Sequence, residues 1–343
     1  MNRRDVLRAG AAGLALEISA RTLWAEAEAD AGRIMTVRGP IAPDAMGVTL
    51  PHEHILVDFA GADAATPDRY RADEVFAVAR PHLDAIASQG VRTLVECTPA
   101  YLARDPALLR RLSEATGLHI LTNTGYYAAS GGVFLPAHAR TESADDLAAR
   151  WLAEWRDGIG GTGVRPGFQK IGVDGGPLIE VAVKLVRAAA RVHLASGLTI
   201  AAHTGDGRAA LQELELLREE GVDASAFIWV HANAEADRAL HAEAAARGAW
   251  VEFDGVSPGS VDGHVALVAA MKERGRLDRV LLSHDAGWYH VGEPGGGEFR
   301  PFFTLWNDLV PALRKSGLSD ADVRTLTVDN PREAFTIRVR PAG

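Results

Sequence analysis

Thr49-Leu50-Pro51-His52-Glu53-His54-Ile55-Leu56-Val57 places two histidines two residues apart inside a short apolar run. Side chains two apart on a strand share a face, so an extended run would let His52 and His54 offer two imidazoles to one metal ion. A single His-x-His arises often by chance, and this one gains weight from what lies downstream. Lys170, His203, His231 and Asp285 each sit within or at the end of another strand-length apolar run.

Those runs belong to a recurring unit: an apolar segment ending in a polar residue, a loop, an amphipathic helical pattern, and a glycine-marked return. The segments are 47–56, 93–98, 119–124, 167–174, 199–204, 227–233, 250–254 and 279–285. Helical patterns lie between them at 72–88, 106–116, 143–158, 178–196, 208–220, 234–247 and 261–274. Gly90, Gly117, Gly197, Gly221, Gly248 and Gly275 stand where helix-ending glycines belong. Strand, helix, strand at this spacing means parallel strands with crossover helices, and eight units in roughly 250 residues predict an α/β fold, a (β/α)8 TIM barrel. The barrel is expected to be one domain over 36–340. Its active site belongs at the C-terminal strand ends, where the polar residues fall. The alternative is a doubly wound open sheet, but no Gly-rich phosphate loop follows the first strand.

Residues 34–48 read as an irregular lead-in, and 318–340 as terminal helices. Two long loops, 125–143 with Tyr126 and Tyr127 and 286–301 with Trp288 and Tyr289, are placed to shape a pocket.

The 343 residues are 47% hydrophobic and 24% charged, with a net charge of −9. No basic cluster stands out, which argues against a nucleic-acid partner. Residues 1–29 read as a twin-arginine signal peptide: Arg3-Arg4 precedes a small apolar run, and alanines follow. That run is too short to span a bilayer, and export would place the protein in the periplasm or outside the cell. Cys97 is the only cysteine, so no intrachain disulfide is possible.

His203 and His231 on consecutive strands, with His52 and His54 on the first, point into one barrel mouth. With Asp285 they form a ligand set suited to borderline metals such as zinc. Lys170 interrupts the apolar segment 167–174, where burying an unpaired ammonium is costly and favours the neutral amine. Such an amine can capture carbon dioxide as a carbamate, whose two oxygens suit two metal ions. The alternative is a lysine ion-paired to Glu96 or Asp174. His284 should face away from Asp285 by strand alternation.

Together these residues resemble the phosphotriesterase family of the amidohydrolase superfamily. The likeness covers roughly 36–335 and includes Gly39-Pro40-Ile41, Thr124-Gly125, Ala188-Ala189-Ala190, His203-Thr204, Ser283-His284-Asp285 and Asn330-Pro331. It implies two divalent ions, zinc first among them. His52, His54 and Asp285 would hold a buried ion, His203 and His231 an exposed one, and N6-carboxylated Lys170 would bridge both. It further implies a hydroxide shared by the ions as nucleophile, Asp285 taking its proton, and Tyr127 over the substrate as in the family's lactonases. Gly255 and Ala234 depart from the family, standing where its phosphotriesterases carry a His and an Asp of a proton relay, and Gly255 also stands where its lactonases carry an Arg. The expected substrate is a small molecule: a lactone or carboxylic ester first, an organophosphate triester second. Amide hydrolysis, metal-assisted decarboxylation and a ligand-binding barrel without turnover remain as alternatives, and a homodimer stays open.

Overall fold

The computed structural model describes residues 29–343, so the expected signal peptide lies outside the described residues except for Ala29. Strands β1 (Thr49–Val57), β2 (Thr93–Glu96), β3 (His119–Leu121, resumed at Asn123–Thr124), β4 (Phe168–Val173), β5 (Ile200–Thr204), β6 (Phe227–Val230), β7 (Trp250–Phe253) and β8 (Val280–Leu282) follow in order. Each pairs in parallel with its neighbour in sequence. Gly287–His290, just past β8, pairs in parallel with β1 and closes the ring. The fold is the expected (β/α)8 barrel.

The crossovers are α1 (Ala72–Ser88), α2 (Pro106–Thr116), α3 (Ala144–Asp157), α4 (Glu180–Ser196), α5 (Gly207–Glu219), α6 (Arg238–Arg247) and α7 (Val261–Glu273). Local chemistry sets their ends. Asp105 accepts from Leu108 N at 3.0 Å ahead of Pro106, and Ser143 and Asp146 form a reciprocal capping box at the start of α3. Trp151 and Trp155, one turn apart on α3, are both buried. Burying a large apolar side chain contributes roughly 1.5–3 kcal/mol, so this face pins the helix to the barrel. None of the described helices is long and apolar enough to cross a membrane.

Two loop expectations need correction. Residues 34–48 are not wholly irregular, because Ile34–Thr36 and Gly39–Ile41 form an antiparallel hairpin. The stretch 286–301 is not all loop, since Gly287–His290 is the closing strand. Its flanking glycines and short length hid it.

Inside the barrel, Val95, Cys97, Leu121, Phe168, Ala201, Ile228, Val230, Trp250 and Leu281 pack into one apolar plug, floored by Ile34, Met46 and Phe335. Because inward positions recur every second residue, the next inward residues are Lys170 after Phe168, His203 after Ala201, and Glu252 then Asp254 after Trp250. A polar layer therefore rests on the plug. Pro51 has no N–H for the ladder, and the β1–β2 register shifts between Leu50 and Glu53. The irregularity frees the His52 backbone for the segment after β8: its N–H donates to Ser283 Oγ (3.0 Å) and its carbonyl accepts from Asp285 N (3.1 Å).

Candidate metal centre

All six ligand candidates line one cavity at the C-terminal end of the barrel. Its volume is about 550 Å³ with the open mouth included, and its walls are His52, His54, Lys170, His203, His231 and Asp285 below Tyr127, Phe59, Phe134, Leu102 and Trp288. His231 and Asp285 do not end strands as expected. They lie one residue past β6 and three past β8, with φ of 65° and 51°. Such backbone is uncommon outside glycine and gathers at functional sites.

The hydrogen bonds fix which nitrogen each imidazole presents. His54 Nδ1 lies 2.8 Å from Thr98 Oγ1, whose own hydrogen goes to Leu56 O at 3.0 Å. His54 Nδ1–H must therefore donate, leaving the Nε2 lone pair facing inward. Asp254 accepts from two imidazoles, His52 Nδ1 at 3.1 Å and His231 Nδ1 at 2.7 Å, and also from the His231 backbone N–H at 3.0 Å. One carboxylate thus orients two imidazoles, an arrangement common around metal-binding histidines. Neither Asp254 nor Thr98 entered the expected site. Their signal was their place at the ends of runs 250–254 and 93–98.

The inward atoms converge. His52 Nε2 is 3.3 Å from His54 Nε2, and Asp285 Oδ1 is 3.2 Å from His54 Nε2 and 3.6 Å from His52 Nε2. Both this trio and the set His52, His231 and Asp254 have ligand atoms within 4.8 Å of one another. Burial pushes His54 down to about 3, and burial followed by His231 lowers His203 to about 3, so both are neutral as ligands must be. Asp285 is held below the usual carboxylate range: burial opposes this, but His52 and His54 outweigh it. Burial would likewise lower His52, yet nearby negative groups, Asp285 and Asp254 among them, hold it above its ordinary value.

Lys170 is buried in β4, and its Nζ lies 3.2 Å from His52 Nε2. It has no carboxylate partner among the described residues. The two acids expected as its alternative partners are engaged elsewhere: Glu96 accepts from Ile55 N and Thr98 N, both at 3.2 Å, and Asp174 from Ser130 N (2.8 Å) and Gly131 N (3.1 Å). The ring of His203 meets those of His231 and Tyr127 edge-on, with centroids 4.5 and 5.0 Å apart. Trp288 stacks on His54 at 4.0 Å. His284 faces away as expected, its Nδ1 2.7 Å from Glu53 Oε1.

Residues 32–335 match the sequence model of the Phosphotriesterase family. The chain belongs to the phosphotriesterase family. Among its relatives is a phosphotriesterase homology protein of Mycobacterium tuberculosis, 31% identical over 318 residues, covering 88% of this chain and 96% of the relative. A structure of a variant of a phosphotriesterase-like lactonase from Deinococcus radiodurans superposes with a TM-score of 0.79 at 30% identity, covering 88% of this chain and 99% of that one. An N-acetyltaurine hydrolase of Tetraodon nigroviridis is 26% identical over 351 residues, covering 90% of this chain and 99% of the relative. Membership makes this phosphotriesterase-family barrel a metal-dependent hydrolase, and the convergent imidazoles and carboxylates fit that chemistry.

Proposed function

We propose that the chain is a binuclear hydrolase of lactones or carboxylic esters, with phosphotriesters as secondary substrates. The observation that carries this reading is the convergence of four imidazoles, Asp285 and Lys170 on one cavity. His52, His54 and Asp285 would hold the buried ion, His203 and His231 the exposed one, and Lys170, carboxylated on Nζ, would lie between them. The bound ions, zinc in our reading, would supply hydroxide at neutral pH, since zinc lowers the pKa of its water from about 15.7 to about 7, and would polarise the substrate oxygen.

The chain's own groups account for the rest. Asp285 Oδ1 has no hydrogen-bond donor and its carboxylate is held ionised, so it can accept the proton released when the nucleophile attacks. Burial, then the charge of Asp285, pushes the Tyr127 phenol up, which keeps it protonated and able to donate to a substrate oxygen. Phe59, Phe134, Leu102 and Trp288 give the mouth an apolar wall for an acyl chain or ring. The lactonase relative supports the lean towards a cyclic or open ester. The N-acetyltaurine hydrolase favours a second reading, an amide hydrolase on the same residues.

One panel separates these readings: lactones, aryl esters, N-acyl amino acids and paraoxon-like triesters, assayed on zinc- and cobalt-loaded protein. The highest kcat/KM is expected on a lactone or ester. Turnover of N-acyl amino acids alone would favour the amide reading. Export by the twin-arginine route is a further part of this proposal, motivated by Arg3-Arg4. Wild-type chain that stays uncleaved in the cytoplasm would overturn it.

A further inference from the structure

We infer that Glu53, the residue between the two histidines, is the positioning residue that fixes Asp285 and so sets how tightly the buried cation is held. The inference rests on the metal-centre reading above. Strand alternation turns Glu53 away from His52 and His54, and its side chain is fully buried. Four donors reach its carboxylate, all from the four residues 283–286. Ser283 Oγ (2.8 Å), His284 N (3.0 Å) and His284 Nδ1 (2.7 Å) donate to Oε1, and Ala286 N (2.9 Å) donates to Oε2. Asp285 is the one member of this stretch that does not touch Glu53. It sits at the centre of the grip.

The rest of the Asp285 backbone is held as firmly. Its N–H donates to His52 O at 3.1 Å, and its carbonyl accepts from Trp288 Nε1 (2.8 Å) and Arg300 Nη2 (2.5 Å). Its side chain is not: Oδ1 is buried, faces His54 Nε2 at 3.2 Å and His52 Nε2 at 3.6 Å, and has no hydrogen-bond donor. His54 Nε2 cannot be that donor, because its hydrogen is committed to Nδ1 by Thr98. The Asp285 carboxylate is therefore placed by its backbone, which stays in a left-handed conformation (φ 51°) that an unrestrained aspartate would mostly leave. Glu53 supplies that restraint.

The grip also needs a carboxylate rather than any polar group. An ionised carboxylate only accepts, on two oxygens, which matches four converging donors. A carboxamide has one oxygen, so its NH2 would face either the Ala286 N–H or the three donors at Oε1. His284 extends the restraint: with Nδ1–H committed to Glu53, its Nε2 accepts from Leu305 N at 3.0 Å and ties the segment to the helix-like turn beginning there. A single strand thus provides two ligands on one face and, on the other, the restraint that places the third.

The test compares Glu53→Gln with wild type in cobalt binding, read by the visible absorption of bound cobalt and by chelator competition on the folded protein. The account expects Glu53→Gln to bind the buried ion at least tenfold more weakly with an altered absorption band, and the ion at His203 and His231 near normally. Glu53→Asp, which keeps the charge but shortens the reach, should fall between the two. A stabilising buried anion with no part in placing Asp285 would lower the melting temperature yet leave spectrum and affinities unchanged, and that result overturns the inference. If Glu53→Gln does not fold, His284→Asn removes the link to Leu305 while keeping Glu53. It should weaken the same ion severalfold, and no change would again overturn the inference. Wild-type protein that takes up no cobalt would instead sink the metal-centre reading itself, and the inference with it.

Discussion

Replacing Asp254 by asparagine should weaken both metal positions at once. Its carboxylate accepts from His52 Nδ1 (3.1 Å) and from His231 Nδ1 (2.7 Å), residues assigned to different ions. An amide of the same shape has one acceptor oxygen, so only one imidazole keeps its partner. The other meets an NH2 group and must move its hydrogen to Nε2, which removes the lone pair a metal needs. Hydrogen bonds to charged groups contribute about 1.5–3 kcal/mol, and losing such an orienting partner typically costs about 10–100-fold in metal affinity. The amide oxygen should take the place of Oδ2, which accepts from both His52 Nδ1 and the His231 backbone N–H, leaving the NH2 to face His231 Nδ1. We therefore expect the larger loss, of that order, at the ion held by His231 and a smaller one at the ion held by His52, whose acceptor stays but loses its charge. Thr98→Val is the contrast, because Thr98 orients His54 alone at 2.8 Å and should weaken one ion only. The assay is competition with a chromophoric chelator on metal-stripped, refilled protein. Asp254→Asn binding both ions like wild type would refute the reasoning, as would Thr98→Val weakening both equally.

Other expectations follow from single groups. Lys170→Ala should bind metal poorly and lose turnover, and propionate at millimolar concentrations should restore part of it by filling the vacated space with two oxygens; near wild-type rates without the acid would refute the bridging role. A Cβ on Gly172 would collide with the Tyr127 ring, which lies against β4, so Gly172→Ala should raise KM while leaving metal content intact; an unchanged KM would remove Tyr127 from the substrate site. Burial pushes the Glu213 carboxyl up to about 8, and its Oε2 lies 2.8 Å from Thr204 Oγ1. An acid raised on folding stabilises fully below its unfolded value, and this is lost as pH rises through the folded one, at about 1.4 kcal/mol per pH unit in between. Glu213→Gln, a neutral mimic of the protonated acid, should therefore gain on wild type in melting temperature as pH rises from about 4.5 towards 8, and a constant difference would count against it.

The ring of parallel strands and the six converging residues were legible because two periodicities carry them. Alternation puts His52 with His54 and Lys170 above Phe168, and the barrel rule sends strand ends to one mouth. What was not legible depends on contacts between segments far apart in sequence. Asp254 shows in the sequence only as a polar strand end, and its two imidazoles come from positions 52 and 231. Glu53 stands in plain view between the histidines, yet its role exists only against residues 283–286. Trp288 reads as a loop aromatic until its left-handed backbone (φ 75°) lays it on His54. The closing strand 287–290 and the shifted register at Pro51 depart from regular spacing, which is what a pattern reading relies on.

The most direct test of the binuclear account is the metal content of the folded protein after stripping, reconstitution with zinc and bicarbonate, and removal of excess ion. The account predicts two equivalents of zinc per chain, falling towards none in Lys170→Ala. One equivalent or none in the wild-type chain would contradict it.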